Sequence, residues 1–224
     1  MEKNISKLIL LIIPILFTSC FEIREEVNMK ADGSGEVMVV FDLSKSKGKL
    51  KQYMKMEKVE NYRVPSEPEI ETYLLTIKNT IRGVSGINYT ETKSDWSNFI
   101  FNVTARFDNI DALNKAILRI ADQLKNMDIP PIMEANFKYE KNRFNRLFDY
   151  PPKPQEFAQL PSMQRFMLES SNAISIYRFE KKVRDVSHEK AMVSPSGKAV
   201  MLKVSLADLV TGKGTLANSI SFEN

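Results

Sequence analysis

Hydrophobic and polar residues alternate along two early stretches of the chain, residues 22–29 and 37–43. The segment between them, residues 31–35, reads Ala-Asp-Gly-Ser-Gly and contains an Asp-Gly turn signal. Two alternating stretches joined by such a turn predict a β-hairpin. The turn requires a left-handed backbone, which glycine adopts most easily, so at least one of Gly33 and Gly35 is predicted to have a positive φ.

Helical spacing of apolar residues follows the first hairpin. A lysine-rich helix is predicted over residues 45–58, with a thin apolar stripe. A second helix is predicted from Ser66, which has capping-box spacing to Glu69, and Gly83 provides a stop signal.

A second hairpin and helix come next. Residues 87–91 lead into a turn at 94–97, and residues 99–107 alternate without interruption, which predicts a strong strand. A helix is predicted over residues 109–126, with Asp108 as its N-cap. The order of hairpin and helix in 86–126 thus repeats that in 22–58.

The last third of the chain is predicted to be rich in strands. Pro151, Pro152 and Pro154 indicate a stiff connector, since proline fixes φ and lacks an amide donor. Ser194-Pro195-Ser196-Gly197 predicts a turn between strands. The remaining predicted elements are a strand at Phe137 and Tyr139, a short helix around Met163, Phe166 and Met167, and strands at 174–179, 199–205 and 219–222.

These elements predict an α+β fold with a mostly antiparallel sheet built from β-hairpins and several packed helices. Residues 20–150 form an α+β region with two hairpin-helix units, and residues 151–224 form a β-rich C-terminal region. We expect both to belong to one compact body, although the length of the chain also allows two small domains.

The N-terminus has a different pattern. Residues 1–7 carry two lysines, and Leu8 to Phe17 is an apolar run interrupted only by proline. This run is too short for a transmembrane helix, which needs about 20 residues. A charged start, a short apolar core and small residues predict a cleaved secretory signal peptide over residues 1–19.

The sole cysteine, Cys20, follows these small residues directly. The tetrapeptide Phe17-Thr18-Ser19-Cys20 resembles the lipobox of bacterial lipoproteins. This resemblance implies cleavage between Ser19 and Cys20 and a diacylglyceryl group on the Cys20 thiol. The alternative is an ordinary signal peptide that ends near a cysteine. With one cysteine, the chain cannot form an internal disulfide.

Composition restricts the class of protein. Hydrophobic residues make up 43% and charged residues 27%, which is typical of globular proteins. The formal net charge of +4 falls to about +3 without residues 1–19, far from the strong imbalance of a nucleic-acid binder. We therefore expect no nucleic-acid partner.

Candidate catalytic and metal motifs fail on inspection. An EF-hand through Asp32 and Gly33 would place Lys30 and Val39 where ligand oxygens belong. His188 is the only histidine, and its neighbours Ser187 and Glu189 cannot form a triad with it from adjacent positions on a strand. We expect an exposed His188, no catalytic residue, no metal and no cofactor, although a triad with partners from distant segments stays open.

Two stretches have basic residues in suggestive patterns. On the predicted lysine-rich helix, Lys47, Lys51, Lys55 and Lys58 share one face, which is either a contact for anionic lipid or a solvated surface. Residues 137–148 interleave basic and aromatic residues, as in a single-strand nucleic-acid site, but outside the cytoplasm a half-buried strand is the better interpretation. Trp96 in its turn either meets a ligand or covers the end of the core.

Several patterns together support a family resemblance. They are the lipobox with Glu22, Glu25 and Glu26 after it, the 32–35 turn, and the segments 186–187, 194–200 and 205–209. The chain resembles a family of uncharacterised lipoproteins of the Bacteroidetes type and is distantly similar to the LppM-type lipoprotein domain. The resemblance implies a Gram-negative envelope and supplies no catalytic residue. Some lipoproteins are retained at the inner membrane by an aspartate after the lipidated cysteine. This chain has Phe21 at that position, so the resemblance favours the outer membrane.

Two functional hypotheses follow. The first is a membrane-tethered envelope lipoprotein that acts as a non-enzymatic binding or envelope-assembly module, with the membrane as one partner and an envelope protein or anionic lipid as another. The second is a lipid-anchored periplasmic hydrolase. A cleft with converging carboxylates or an oriented His188 would favour the second.

Overall fold

The computed structural model describes residues 21–59, 62–123, 135–147, 149 and 151–223. It confirms the α+β fold with a sheet dominated by antiparallel pairs. The predicted signal peptide and the lipobox lie outside the described residues. The strands are β1 (Glu22–Met29), β2 (Gly35–Asp42), β3 (Lys58–Val59), β4 (Tyr62–Arg63), β5 (Ile87–Asp95), β6 (Ile100–Phe107), β7 (Phe137–Glu140), β8 (Arg143–Arg146), β9 (Asn172–Phe179), β10 (Val183–Val186), β11 (Met192–Val193), β12 (Ala199–Ser205) and β13 (Asn218–Phe222).

Helices connect and cover these strands. None of the helices in the described ranges has the length and apolar character needed to cross a bilayer. The α-helices are α1 (Lys47–Tyr53), α2 (Glu67–Arg82), α3 (Ile110–Gln123), α4 (Pro154–Gln159), α5 (Ser162–Glu169) and α6 (Leu206–Thr211).

The largest sheet has seven strands in the order β11-β12-β9-β1-β2-β6-β5. Its neighbouring strands are antiparallel except for β1 and β9, which run parallel with Glu22 beside Asn172 and Met29 beside Phe179. This pairing places strands from 20–150 and from 151–224 in the middle of one sheet.

Both predicted hairpins are present. In the first, β1 and β2 pair from Glu22–Asp42 to Met29–Gly35, and Gly33 has a φ of 89°, as the turn requires. In the second, β5 and β6 pair antiparallel. The alternation of apolar residues therefore predicted each hairpin correctly, because one face of the sheet is buried.

The inner face of the large sheet packs on a four-stranded sheet of order β10-β13-β8-β7. Val27 and Tyr177 from the large sheet are at most 1% exposed, as are Phe144 and Ile220 from the small one. These side chains belong to one hydrophobic cluster. Since two sheets share this core, the β-rich C-terminal region contributes directly to the packing of the first hairpin.

Helices α2 and α3 cover the β5–β6 side of the same face. The predicted capping box is present at the start of α2, where Ser66 and Glu69 exchange hydrogen bonds. The predicted N-cap of α3 is wrong by one residue: the Asn109 side chain accepts from the Ala112 amide at 3.0 Å. Asp108 instead accepts a hydrogen bond from the side chain of Asn88 at 2.8 Å.

The lysine-rich helix is shorter than predicted. Instead of spanning 45–58, α1 covers only Lys47–Tyr53. A 3-10 turn at Ser44–Ser46 precedes it. Its apolar stripe consists of Leu50 and Met54, which pack on the β6 core. The next positions of that stripe are polar, so a longer helix would bury nothing more.

The two ends of the large sheet face different surroundings. The Phe21 end contains Glu22, Asp42, Ile100, Asn172 and Ser205, which lie beside one another in register. The far end contains the opposite termini of these strands: Met29, Gly35, Phe107, Phe179 and Ala199.

Candidate functional site

Phe21 is fixed in the fold at the position next to Cys20. Its amide donates to Ser171 Oγ at 3.2 Å, and its carbonyl accepts from the Asn172 amide at 3.3 Å. Cys20 and Ser19, the predicted lipidation and cleavage residues, lie outside the described residues. In the sequence, Cys20 is the residue directly before Phe21.

The basic segment, residues 45–63, follows β2 from this same end. It holds seven basic and two acidic residues. The structure does not put the four predicted contact lysines on one helix: Lys47 and Lys51 belong to α1, Lys55 follows it, and Lys58 lies in β3. All four are exposed, and their contact with an anionic surface stays a prediction.

Glu22, the first residue of β1, carries an ion pair on each side. Its carboxylate lies 3.1 Å from Lys45 Nζ and 3.4 Å from Lys203 Nζ. Burial opposes ionisation, but the hydrogen bonds and charges of the two lysines outweigh it and lower the pKa of Glu22. These contacts connect β1 to β12 and to the 3-10 turn after β2, at the Phe21 end.

A shallow groove of about 470 Å³ continues the basic segment. Its walls include the apolar residues Met54, Met56 and Pro65, and Lys55, Lys58, Arg63 and Glu69 supply charge. The Arg63 guanidinium lies 2.7 Å from a Glu69 oxygen, which connects β4 to the start of α2. Met56 is 51% exposed, so this end combines positive charge with apolar surface.

A buried polar cluster lies on the inner face of β1. The Glu25 carboxylate accepts a hydrogen bond from the Tyr177 hydroxyl at 2.8 Å and lies 3.4 Å from Arg146 Nε. Burial raises the pKa of the Tyr177 hydroxyl well above its usual value, and the Glu25 charge raises it further. Tyr177 therefore remains protonated and serves as a structural donor. Sequence reasoning missed this cluster, because β1 and β9 are far apart in sequence.

A cleft of about 860 Å³ lies at the far end of the sheet. Its charges have both signs and are partly paired: Arg106 lies 2.8 Å from Glu36, and Arg178 lies 2.6 Å from Glu26. The cleft is lined by residues including Asn28, Lys30, Asp32, Asn88, Asp108 and Glu180. This mixture favours no single class of ligand.

The rejected calcium motif is a hydrogen-bonded turn. Asp32 Oδ1 accepts from the Ser34 amide at 2.9 Å and from the Ser34 hydroxyl at 2.7 Å. These bonds lower the pKa of Asp32. Within the described part of the chain, no group of three or more His, Cys, Asp or Glu residues is arranged to hold a metal ion.

His188 is half-buried, so the prediction that it is substantially exposed was wrong. Its Nδ1 accepts a hydrogen bond from the Lys190 amide at 3.1 Å, and its own amide donates to Asn218 Oδ1 at 3.1 Å. The histidine of a Ser-His-Asp triad donates from Nδ1 to a carboxylate. Here Nδ1 is an acceptor, so this geometry does not orient the ring as a general base.

The Phe137 and Phe144 rings belong to the hydrophobic core, and Trp96 packs against it. Phe137 and Phe144 are at most 2% exposed, which excludes both rings from stacking on nucleic-acid bases. Trp96 packs edge-on against Phe99 and Phe101, and its Nε1 donates to Glu71 at 2.7 Å. It thus covers the end of the core and joins the β5–β6 turn to α2.

Comparison with known proteins gives one structural similarity. No family model matches the chain, and no curated protein matches it. The chain is similar to the NMR structure of the folded domain of LppM from Mycobacterium tuberculosis, with a TM-score of 0.40 and 9% identity, over 92% of this chain and 91% of that chain. The expected distant similarity to LppM is therefore found, whereas membership of the Bacteroidetes-type family stays a prediction. A likeness of this size supports no conclusion about function.

Proposed function

We propose that this protein is a membrane-tethered envelope lipoprotein whose body acts as a non-enzymatic binding or envelope-assembly module. The observation that carries the proposal is the position of Phe21. Its hydrogen bonds to Ser171 and Asn172 hold the chain in the sheet one residue after Cys20. A lipid on Cys20 would hold the body directly against the membrane, with the basic segment at the same end.

The physics of the anchor supports stable attachment. Each buried CH₂ group contributes about 0.8 kcal/mol, and one acyl chain alone binds only marginally. Two acyl chains on Cys20 give a durable anchor, and lysines near the membrane add attraction to anionic lipids. We place the protein in the outer membrane, where the second partner is an anionic lipid or an envelope protein.

The hydrolase hypothesis has less support. A hydrolase needs a nucleophile and a base that converge on a substrate position. The hydrogen bond from the Lys190 amide to His188 Nδ1 gives no such arrangement. We therefore retain the binding module as the proposed function.

The tether is tested by replacing Cys20 with serine in the full chain. The wild type is expected to incorporate labelled palmitate and to fractionate with the outer membrane, whereas the Cys20→Ser protein does neither. Ser19→Ala is the matched control, because it keeps a small residue before the cleavage site. Normal processing and membrane retention of the Cys20→Ser protein would contradict the proposal.

The binding role is tested with the tethered wild-type protein purified from native membranes after crosslinking. We expect a specific envelope protein or anionic lipid to copurify, and replacement of Lys47, Lys51, Lys55 and Lys58 by glutamine to reduce the recovery of the lipid. Hydrolysis of a lipid or peptidoglycan substrate that is lost in His188→Ala would instead support the hydrolase.

A further inference from the structure

Helix α5 presents three large apolar side chains to solvent. Met163 is 48% exposed, Phe166 is 46% exposed and Met167 is 39% exposed. Their i, i+3 and i+4 spacing places them on one face of the helix. No residue of α5 is buried, although the helix packs against α6. A contiguous apolar face of this kind indicates a contact surface.

The position of α5 relates this face to the tether. The helix ends at Glu169, two residues before Ser171, whose hydroxyl accepts the hydrogen bond from the Phe21 amide. Strand β9, which follows α5, lies on one side of β1, and β2, which leads into the basic segment, lies on the other. Adjacent strands are about 4.8 Å apart. The apolar helix and the basic segment therefore leave the sheet on either side of Phe21.

We propose that the exposed face of α5 inserts into the lipid interface beside the acylated Cys20. The inference rests on the proposed function, because it takes Cys20 as lipidated. Phe21 is hydrogen-bonded in the fold and directly follows Cys20 in the sequence. A lipid on Cys20 would therefore bring the Phe21 end into contact with the membrane. We take the bilayer as the partner of this face, because its anionic lipids would also attract the positive charge of residues 45–63.

The tether makes such a small contact effective. An interfacial amphipathic helix buries its apolar face about 5–10 Å into the boundary between headgroups and acyl chains. Three side chains alone would bind weakly. A short tether gives an effective concentration on the order of millimolar or higher, so even a weak contact is populated. The lipid, α5 and the basic segment then fix the orientation of the body, with the far-end cleft turned away from the membrane.

The test uses spin labels on the lipidated full-length protein in phosphatidylethanolamine–phosphatidylglycerol vesicles. Because Cys20 is the only cysteine and its thiol is acylated, an introduced cysteine is the only one that can be labelled. One label replaces Met167 in α5. The matched control replaces Met192, a 55% exposed methionine on the edge strand β11 near the far end. The measurement compares collision of each label with oxygen, which enters lipid, and with a nickel chelate, which stays in water.

We expect the ratio of oxygen to nickel collisions to be several-fold higher at position 167 than at position 192. In a protein that also carries Met163→Ser and Phe166→Ser, the ratio at 167 should fall to that at 192. The fold should persist, as shown by an unchanged unfolding midpoint, because neither replaced side chain is buried.

Three results would overturn the inference, and they are distinguishable. Equal ratios at 167 and 192 on vesicles that carry the floated protein would refute the α5 contact and leave the tether intact. If position 167 is shielded only in native envelope membranes, the face belongs to a protein partner instead. Failure of the wild-type protein to float with vesicles would refute the tether itself, and the inference with it.

Discussion

On the inner face of the large sheet, the charged Glu25 is accommodated by a hydrogen bond from Tyr177. Glu25 lies on β1 between Ile23 and Val27 in the alternation, so its side chain points toward the core. Burying an unpaired carboxylate would cost several kcal/mol, but a hydrogen bond from a protonated tyrosine offsets part of that cost. The Tyr177 hydroxyl, 2.8 Å from Glu25, supplies this bond.

Replacement of Tyr177 by phenylalanine should therefore destabilise the protein. The change removes only the hydroxyl, and the lost hydrogen bond to a charged group contributes about 1.5–3 kcal/mol. Chemical denaturation should show a free energy of unfolding lower by that amount. Tyr73→Phe is the control, because Tyr73 is 47% exposed, and it should change stability little. Equal effects of the two substitutions would show that the Glu25 bond contributes nothing.

At the scale of elements, helix α2 begins with a pH-sensitive cap. The backbone amide and hydroxyl of Ser66 donate to Glu69, and together with Arg63 they lower the Glu69 pKa to about 2. A carboxylate with a lowered pKa stabilises the folded state fully above its usual pKa. This stabilisation is lost as pH falls from about 4.5 toward 2.

The Glu69→Gln substitution should lower the thermal unfolding midpoint near pH 7 and leave it almost unchanged near pH 2, where Glu69 itself becomes protonated. The measurement is the unfolding midpoint of both proteins across this pH range. Glu67→Gln removes a charge from the same turn without touching the bonds to Ser66, and it should show a smaller effect. A difference between Glu69→Gln and wild type that does not shrink in acid would contradict the role of the cap.

Local patterns predicted most of the long elements. The alternation of apolar and polar residues predicted both hairpins, because it reflects which face of a strand is buried. It could not give the parallel pairing of β1 with β9, since partners 150 residues apart leave no local signal: Glu22 lies beside Asn172. Short strands such as β8 and β10 have too few residues for a period to be recognised.

The candidate site was predicted only in part. The lysines of the basic segment were found from sequence, but on a helix that the structure ends at Tyr53. The residues Met163, Phe166 and Met167 predicted a helix correctly, yet helical spacing does not say whether an apolar face meets the core or solvent. Their exposure, and the position of α5 just before Ser171, which bonds to Phe21, required the fold.

At the scale of the whole molecule, both halves of the chain build the same central sheet. The inner face of β1 shares its hydrophobic cluster with Tyr177, Val200 and Ile220, which all come from the C-terminal region. Removal of residues 151–224 would take away β9 and β12 and expose one side of β1. The pairing of β1 with β9 therefore determines whether the chain folds as one unit.

We expect a fragment of residues 21–150 to lack cooperative thermal unfolding and dispersed amide resonances, whereas residues 21–224 show both. Loss of contiguous buried apolar side chains, each worth about 1.5–3 kcal/mol, exceeds the usual net stability of a domain of this size. The measurement is circular dichroism together with an NMR spectrum of each protein. A fragment that unfolds cooperatively would show that residues 20–150 form a separate domain.

The charge distribution of the whole molecule leads to a prediction about membrane binding. Lys47, Lys51, Lys55 and Lys58 lie toward the Phe21 end, while Lys141, Lys181, Lys182 and Lys198 lie toward the far end. Attraction to anionic lipid falls off within a Debye length, about 8 Å at physiological ionic strength. Only lysines that face the bilayer should therefore contribute to binding.

Replacement of the four lysines at the Phe21 end by glutamine should weaken binding of residues 21–224 to phosphatidylglycerol vesicles. Each lysine near the surface contributes up to about 1 kcal/mol, so the loss could reach about a thousandfold at low salt. Replacement of the four far-end lysines removes the same charge and should weaken binding far less. Vesicle sedimentation across a range of salt concentrations measures both. Equal losses would mean that net charge alone drives binding, and that the body has no preferred end toward the membrane.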